Sequence, residues 1–190
     1  MRRSRVTLLV LTAAVLVSLG GLTGAPTLAA PGGRGQDAPA GFRDEFLHQF
    51  DISMNKVIAL AEAIPADRYA KSAVRGAMPL AHIHAHIARF NYHYPATAMG
   101  IAPAAGIDPD TLERVVDKAQ VVALLRLSAE HVRQAVRQMP EEQLAQPTRL
   151  YGRQVPQWSV LLQLLAHMND HMGQSIAYAR AAGVVPPWSR

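Results

Sequence analysis

The chain has 190 residues, a formal net charge of +5, eight histidines and no cysteine. The lack of cysteine excludes disulfides, thiolate metal ligands and a cysteine nucleophile. Three of the nineteen Lys and Arg lie within the first five residues, so residues 31–190 hold sixteen basic side chains against fourteen acidic ones. A net charge of about +2 without a basic stripe argues against a nucleic-acid partner.

The first thirty residues have the layout of a secretory signal peptide. Arg2, Arg3 and Arg5 precede an apolar run from residue 6 to about residue 22, and small residues follow. This pattern predicts a signal peptide at residues 1–30, cleaved after Ala29 or Ala30, and export to the periplasm or the cell exterior. We expect no stable membrane span after cleavage, and an uncleaved N-terminal anchor is the alternative.

The remainder of the chain is long enough for one domain with a substantial core. Residues 31–41 are rich in Pro and Gly and predict a flexible linker, and residues 42–190 form the domain. Apolar residues recur there at helical spacing, and no segment keeps a strand-like alternation. Proline and glycine bound four predicted helices: 42 to Pro65, about Val74 or Met78 to Tyr94, Asp108-Pro109 to Pro140, and Pro156 to Gly183. The predicted fold is all-α, a four-helix bundle.

Histidines are concentrated on two of these helices. The stretch AHIHAHIARFNYHY at residues 81–94 contains four of the eight. A strand would place His82, His84 and His86 on one side, but the surrounding apolar residues recur at three and four, which favours a helix. One helical face then carries positions 82, 86, 89 and 93, as His, His, Arg and His, while His84 points elsewhere. In the last helix the matching face carries His167, His171, Gln174 and Tyr178.

Two histidines four residues apart on a helix can reach one metal ion, and a third imidazole from a neighbouring helix completes a facial set. Three neutral ligands leave coordination positions open, as in catalytic sites. Imidazole ligands favour Zn²⁺, with Ni²⁺ or Fe²⁺ also compatible. Met168 stands where the HExxH motif has its glutamate, which argues against a metalloprotease. The alternative is that these histidines are simply solvated. His48 and His131 have no histidine partner at helical spacing, and we expect both on the surface.

The sequence from His167 to Pro187 resembles the final helix of the DinB/YfiT-like superfamily. The shared pattern is two histidines four apart, then Gly-Gln, a Tyr, an Arg, a Gly and a Pro-Pro end. His86 to Tyr92 resembles that family's other ligand helix, in which an Asn and an aromatic residue follow the histidine. LAEAIPADRY at residues 60–69 and the Gly-Arg-Gln at residues 152–154 also fit. The family's Trp-Arg-Pro is replaced here by residues 70–73.

The resemblance implies a four-helix bundle with a three-histidine metal site. Carried onto this chain, the ligands are His86, His167 and His171, and Asn91 is what favours His86 over His82. His82 would then be a fourth ligand or a group behind the ligands. Characterised relatives include thiol-dependent transferases and isomerases, but low-molecular-weight thiols are cytosolic, so the predicted export disfavours that chemistry.

Three functions are compatible with these observations. The first is an exported metal-dependent enzyme, a hydrolase or transferase acting on a small molecule, in which Gln174 orients a ligand and Tyr178 donates a hydrogen bond. The second is a non-catalytic metal-binding or stress-associated bundle, and the third is a helical bundle that binds partners and no metal. The sequence leaves open the substrate, the physiological metal, and whether the chain forms a homodimer.

Overall fold

The computed structural model describes residues 40–72 and 74–189. The predicted signal peptide and residues 31–39 of the predicted linker lie outside them. Among the described residues, none of the helices combines the length and the apolarity needed to cross a membrane.

Four long helices make up most of the structure: α1 (Phe42–Ala63), α3 (Leu80–Met99), α4 (Lys118–Gln138) and α6 (Gln157–Ala181). Short helices α2 (Ala66–Tyr69) and α5 (Glu141–Leu144) follow α1 and α4, and 3₁₀ turns cover Pro109–Arg114 and Pro187–Ser189. Both α3 and α1 pack against α4 and α6, so α1 lies diagonally across the bundle from α3. The predicted four-helix arrangement is therefore confirmed in the described part of the chain.

The core lies between the four long helices. Phe46, Phe50, Met54 and Val57 are buried along one face of α1, at the helical spacing read from the sequence. Phe46 and Phe50 stack with ring centroids 5.7 Å apart. This apolar stripe holds α1 against α4 and α6 because burying it removes a large hydrocarbon surface from water.

The first and last predicted helices have the expected bounds within a few residues, but the second is shifted. Helix α3 begins at Leu80, because Pro79 adopts an extended backbone at the N-cap instead of entering the first turn. It also continues through Pro95, which the sequence analysis took as its end, to Met99. Gly100, with φ of 71°, ends the helix, and the amide of Ile101 donates to the Pro95 carbonyl.

The third predicted helix is two elements instead of one. The Asp108 carboxylate accepts from the amide of Asp110, as predicted for an N-cap, but the element is a 3₁₀ turn that ends at Arg114. The backbone is extended at Val115 and again at Asp117, whose carboxylate caps α4 by accepting from the amide of Gln120. Each aspartate starts its own helical segment, and the sequence analysis recognised only the first.

A small antiparallel hairpin also escaped the sequence analysis. Strands β1 (Pro147–Leu150) and β2 (Arg153–Pro156) pair in the connection before α6, with Leu150 opposite Arg153. Tyr151 and Gly152 form the two-residue turn with φ of 50° and 76°. Positive φ at both positions is typical of the tight hairpin turn that matches strand twist. The strands are too short and too exposed to show apolar alternation.

Candidate metal site

Three histidine side chains converge between α3 and α6. His86 comes from α3, and His167 and His171 come from successive turns of α6. The Nε2 atoms of His86 and His167 are 3.1 Å apart, and each of the three rings lies within 5.0 Å of the other two by centroid. One nitrogen from each ring lies within 4.8 Å of the others. The structure therefore brings together the three residues that the resemblance implied as ligands.

The spacing fits a single metal ion. At a metal–nitrogen distance of about 2.1 Å, two nitrogens 3.1 Å apart subtend roughly 95° at the ion. That angle lies between octahedral and tetrahedral values. Imidazoles suit zinc and other divalent transition metals, so both the donor set and its spacing fit such an ion.

The surroundings keep two of these imidazoles, His86 and His167, neutral. Burial, together with the neighbouring His171 and His86, lowers the pKa of His167 to about 3. Burial also lowers the pKa of His86, although its hydrogen bond to Glu113 acts in the opposite direction. A neutral ring keeps a lone pair for a metal ion, so neither histidine has to lose a bound proton at neutral pH.

Two hydrogen bonds orient rings of the histidine cluster, each through the Nδ1 atom. His86 Nδ1 lies 2.7 Å from Glu113 Oε1, and His171 Nδ1 lies 3.0 Å from Gln174 Oε1. Gln174 in turn donates to the hydroxyl of Tyr178 at 3.3 Å. Gln174 therefore lies next to the His171 ring, and its role in orienting a ligand stays a prediction. Tyr178 lies one turn beyond Gln174 on α6, on the expected face, and accepts a hydrogen bond there.

Glu113 was missed by the sequence analysis. It lies on the 3₁₀ turn between α3 and α4, which packs against α3. No fixed spacing links it to the histidines, so only the fold brings it to them. The one sequence signal for its position was the second N-cap at Asp117. That N-cap shows that residues 109–114 form a segment separate from α4.

The other stripe residues of α3 surround the site without joining it. His82 Nε2 is 3.7 Å from Glu113 Oε2, and the His82 ring is 6.4 Å from that of His86. Arg89 pairs with Asp110 at 2.8 Å. The ring of His93 lies 5.2 Å from that of Phe90. His82 therefore lies beside the carboxylate that contacts His86 and outside the group of three histidines.

His84 points away from the site, as expected, and is fully buried. Its Nδ1 lies 2.8 Å from the Tyr69 hydroxyl. Asn91, the residue that selected His86 from the family pattern, is also buried and donates to the Ser128 hydroxyl of α4 at 3.1 Å. The hydrogen bonds of Asn91 therefore join α3 to α1 and α4, and none of them runs to the three histidines.

The two remaining histidines differ from each other. His48 is exposed on α1, as expected. His131 is half-buried on α4, with its ring 4.9 Å from Tyr92 and its Nε2 buried, so its predicted surface position was wrong. The aromatic face of Tyr92 covers it, and a helical-spacing pattern cannot show such a contact.

Aromatic rings cover one side of the histidine cluster. The Phe90 ring centroid is 4.3 Å from that of His167 and 4.6 Å from that of His86. Tyr94 meets His167 edge-on at 5.7 Å, and its hydroxyl bonds to that of Tyr151 at the hairpin turn. These rings exclude water from one side of the imidazoles. A low local dielectric strengthens electrostatic interactions with any bound charge.

Comparisons with known proteins identify the family of the chain and agree with its fold. The sequence model of the DinB family matches residues 39–190. A crystal structure of a DinB-like protein from Bacillus cereus superimposes with a TM-score of 0.67 at 16% identity, over 76% of this chain and 95% of that one. A conserved protein from Enterococcus faecalis superimposes with a TM-score of 0.56 at 15% identity, over 73% and 95%. No curated protein is significantly similar in sequence.

Proposed function

The chain belongs to the DinB family, and we propose that it binds one divalent metal ion through His86, His167 and His171 for a reaction on a small molecule. The observation that carries the proposal is the convergence of these three half-buried imidazoles, with two Nε2 atoms 3.1 Å apart. Fully solvated histidines would not be held this close, because each of these partly buried rings has exchanged part of its water contacts for contacts with its neighbours.

The donor set supports a catalytic site more than a structural one. Structural zinc sites have four protein ligands, whereas catalytic sites have three and keep a position open. In this cluster three imidazoles converge, and His82 lies toward Glu113 instead. A bound divalent ion would supply Lewis acidity, which lowers the pKa of a coordinated water or substrate group. Zn²⁺ is the first candidate for the metal, followed by Ni²⁺ and Fe²⁺.

The chain's own residues would prepare this site before any substrate arrives. Glu113 accepts a hydrogen bond from His86 Nδ1, and Gln174 accepts one from His171 Nδ1. With each Nδ1 protonated, the lone pair of each ring is on Nε2, where it can bind a metal ion. Phe90 and Tyr94 shield the rings from water on one side. Preorganised ligands of this kind need little rearrangement when the ion binds.

Metal content tests the proposal directly. Protein comprising residues 31–190, prepared without a histidine tag, is analysed by elemental mass spectrometry beside a His167→Ala/His171→Ala variant. We expect about one metal per chain in the former and none in the latter. The matched control is His48→Ala, which removes an exposed histidine on α1 and should keep the metal. Absence of metal in the unmodified protein, even after incubation with Zn²⁺ or Ni²⁺, would overturn the proposal.

Access of a small ligand to the metal separates an enzyme from a non-catalytic metal-binding protein. Co²⁺ loaded into the same protein reports its coordination through its visible absorption. Azide should change that spectrum if a coordination position is open. An unchanged spectrum at high azide would support the non-catalytic alternative, in which protein groups fill every position.

We also propose that the protein is exported. The proposal rests on the basic, apolar and small-residue segments of residues 1–30. N-terminal sequencing of protein from the producing cells tests it, with a mature end after Ala29 or Ala30 expected. A chain that keeps its first residues and fractionates with the cytoplasm would contradict it.

A further inference from the structure

We infer that Glu113 is a positioning residue that holds His86 in the form able to bind a metal ion, and so sets the metal affinity. The inference rests on the proposed metal-binding function. Glu113 is half-buried on the 3₁₀ turn Pro109–Arg114, outside the four helices of the bundle. It is the one carboxylate, among the described residues, that groups with the clustered histidines at metal-ligand spacing.

The hydrogen bond between the two side chains decides which nitrogen of His86 carries the proton. Glu113 Oε1 lies 2.7 Å from His86 Nδ1, and an ionised carboxylate can only accept. His86 Nδ1 must therefore be the N–H that donates, which leaves a lone pair on Nε2. That Nε2 is the atom 3.1 Å from His167 Nε2, on the side where the three imidazoles converge. With the opposite tautomer, His86 would present a proton to the ion.

A second cation bound by His82, His86 and Glu113 is the competing explanation, because these three also have metal-ligand spacing. The distances argue against it. Two ligand atoms at right angles on an ion, each about 2.1 Å away, are roughly 3.0 Å apart, and the observed 2.7 Å is shorter. Arg89 Nη1 is also 3.6 Å from the same carboxylate oxygen, and its positive charge would repel an ion there.

Other contacts hold Glu113 in place. The adjacent Leu112 is buried, and the Asp108 carboxylate caps the turn by accepting from the amide of Asp110. Arg89 contacts both carboxylates of the turn, Asp110 at 2.8 Å and Glu113 at 3.6 Å. The acceptor is thus fixed before a metal ion arrives, so His86 does not have to select its tautomer during binding. Carboxylates behind histidine ligands typically change metal affinity by about 10- to 100-fold.

Zn²⁺ affinity, measured by competition with a chromophoric chelator, tests the inference on the unmodified protein, Glu113→Leu and Glu142→Leu. We expect Glu113→Leu, which removes the acceptor oxygen, to raise the Zn²⁺ Kd by about 10- to 100-fold. Glu142→Leu is the matched control, because it makes the same change at an exposed carboxylate of α5, outside the histidine cluster. Its Kd should remain within about threefold of the unmodified value.

The tautomer of His86 provides a readout that a merely structural role of Glu113 would not change. In the metal-free protein, ¹⁵N-edited spectra of the imidazole rings should show His86 protonated at Nδ1. In Glu113→Leu, which has no acceptor oxygen, the Nε2-protonated form should appear, while the remaining histidine signals keep their positions. This measurement needs no metal, so it remains informative for a variant that binds none.

The two experiments distinguish failure of the inference from failure of the proposed function. An unchanged Zn²⁺ Kd and an unchanged His86 tautomer in Glu113→Leu would overturn the role of Glu113 while leaving the metal site intact. A lack of Zn²⁺ binding in the unmodified protein would overturn the proposed function, and the effect on affinity with it. A weakened Kd together with the tautomer change would support both.

Discussion

His171 and Gln174 are joined by a hydrogen bond across one turn of α6, with the ring Nδ1 3.0 Å from the amide Oε1. The amide oxygen can only accept, so Nδ1 carries the proton and Nε2 is left with its lone pair. The same helix that carries two of the three clustered histidines therefore also supplies the group that orients one of them. Spacing along a single helix predicted that the two side chains share a face, and the structure adds the hydrogen bond between them.

Removing that acceptor should weaken metal binding. We expect Gln174→Leu to raise the Zn²⁺ Kd by about 10-fold, at the lower end of effects for groups behind ligands, because a neutral amide orients the ring less strongly than a carboxylate. Titration calorimetry measures it. Asp170→Asn is the control, since Asp170 is exposed on the same helix and off the histidine face. Equal affinities for the unmodified protein and Gln174→Leu would contradict the orienting role.

Buried His84 should make the metal-free protein less stable in mild acid. Burial lowers the pKa of His84 from 6.5 to about 3, so the folded state keeps it neutral while the unfolded chain takes up a proton below about pH 6.5. The unfolded state then binds more protons between pH 6.5 and 3. The free energy of unfolding should therefore fall with falling pH in this window, by up to about 1.4 kcal/mol per pH unit from this residue.

Urea unfolding at several pH values, with a chelator present, measures this slope. His84→Asn removes the titrating group and should reduce the slope between pH 6.5 and 4, even if its stability at pH 7 is lower. Tyr69→Phe removes the hydrogen-bond partner but keeps the buried ring, so its slope should remain, since burial is the cause of the shift. His167 contributes with the same sign in every variant. A slope unaffected by His84→Asn would refute the assignment.

The buried amide of Asn91 should stabilise the contact between α3 and α4. Its Nδ2 donates to the Ser128 hydroxyl at 3.1 Å in a region closed to water. Asn91→Ala should lower the free energy of unfolding by roughly 2 kcal/mol, through the lost hydrogen bond and the space left behind. Chemical denaturation of Asn91→Ala, Ser128→Ala and the double variant should give a coupling energy of about 1 kcal/mol.

Thr97→Ala is a suitable control for the Asn91 series. Thr97 is exposed on the same helix and bonds only to the His93 carbonyl one turn earlier, so its loss should change stability by less than about 0.5 kcal/mol. Additive effects of Asn91→Ala and Ser128→Ala would show that the two side chains do not stabilise the fold as a pair.

The N-cap of α4 should contribute to stability independently of the metal. The Asp117 carboxylate accepts from the amide of Gln120 at 2.9 Å. Asp117→Ala should destabilise the protein by about 1 kcal/mol, because it leaves that amide without its side-chain acceptor. Asp117→Asn keeps an acceptor oxygen at the cap, so its free energy of unfolding should fall by only about 0.3 kcal/mol. Thermal unfolding decides the matter, and identical midpoints for Asp117→Ala and the unmodified protein would show that the cap contributes nothing.

Helical periodicity in the sequence was enough to predict the all-α class, the bounds of the first and last helices, and the two histidine-bearing faces. These features depend on residues three and four apart, which one helix brings together whatever its partners are. The pair His167 and His171, and Gln174 behind it, belong to this group. The choice of His86 over His82 came from the resemblance to the DinB family, and no spacing within the helix could have made it.

The tertiary structure decided the rest, because it depends on contacts between residues distant in the sequence. Pro95 stays inside α3 although proline usually ends a helix, and the segment after Asp108 stops as a 3₁₀ turn whose buried Leu112 anchors it beside α3. That early stop is what places Glu113 against His86, 27 residues away in the chain. The sequence alone determined which side chains share a helical face, and the packing of helices and turns determined which of those faces meet.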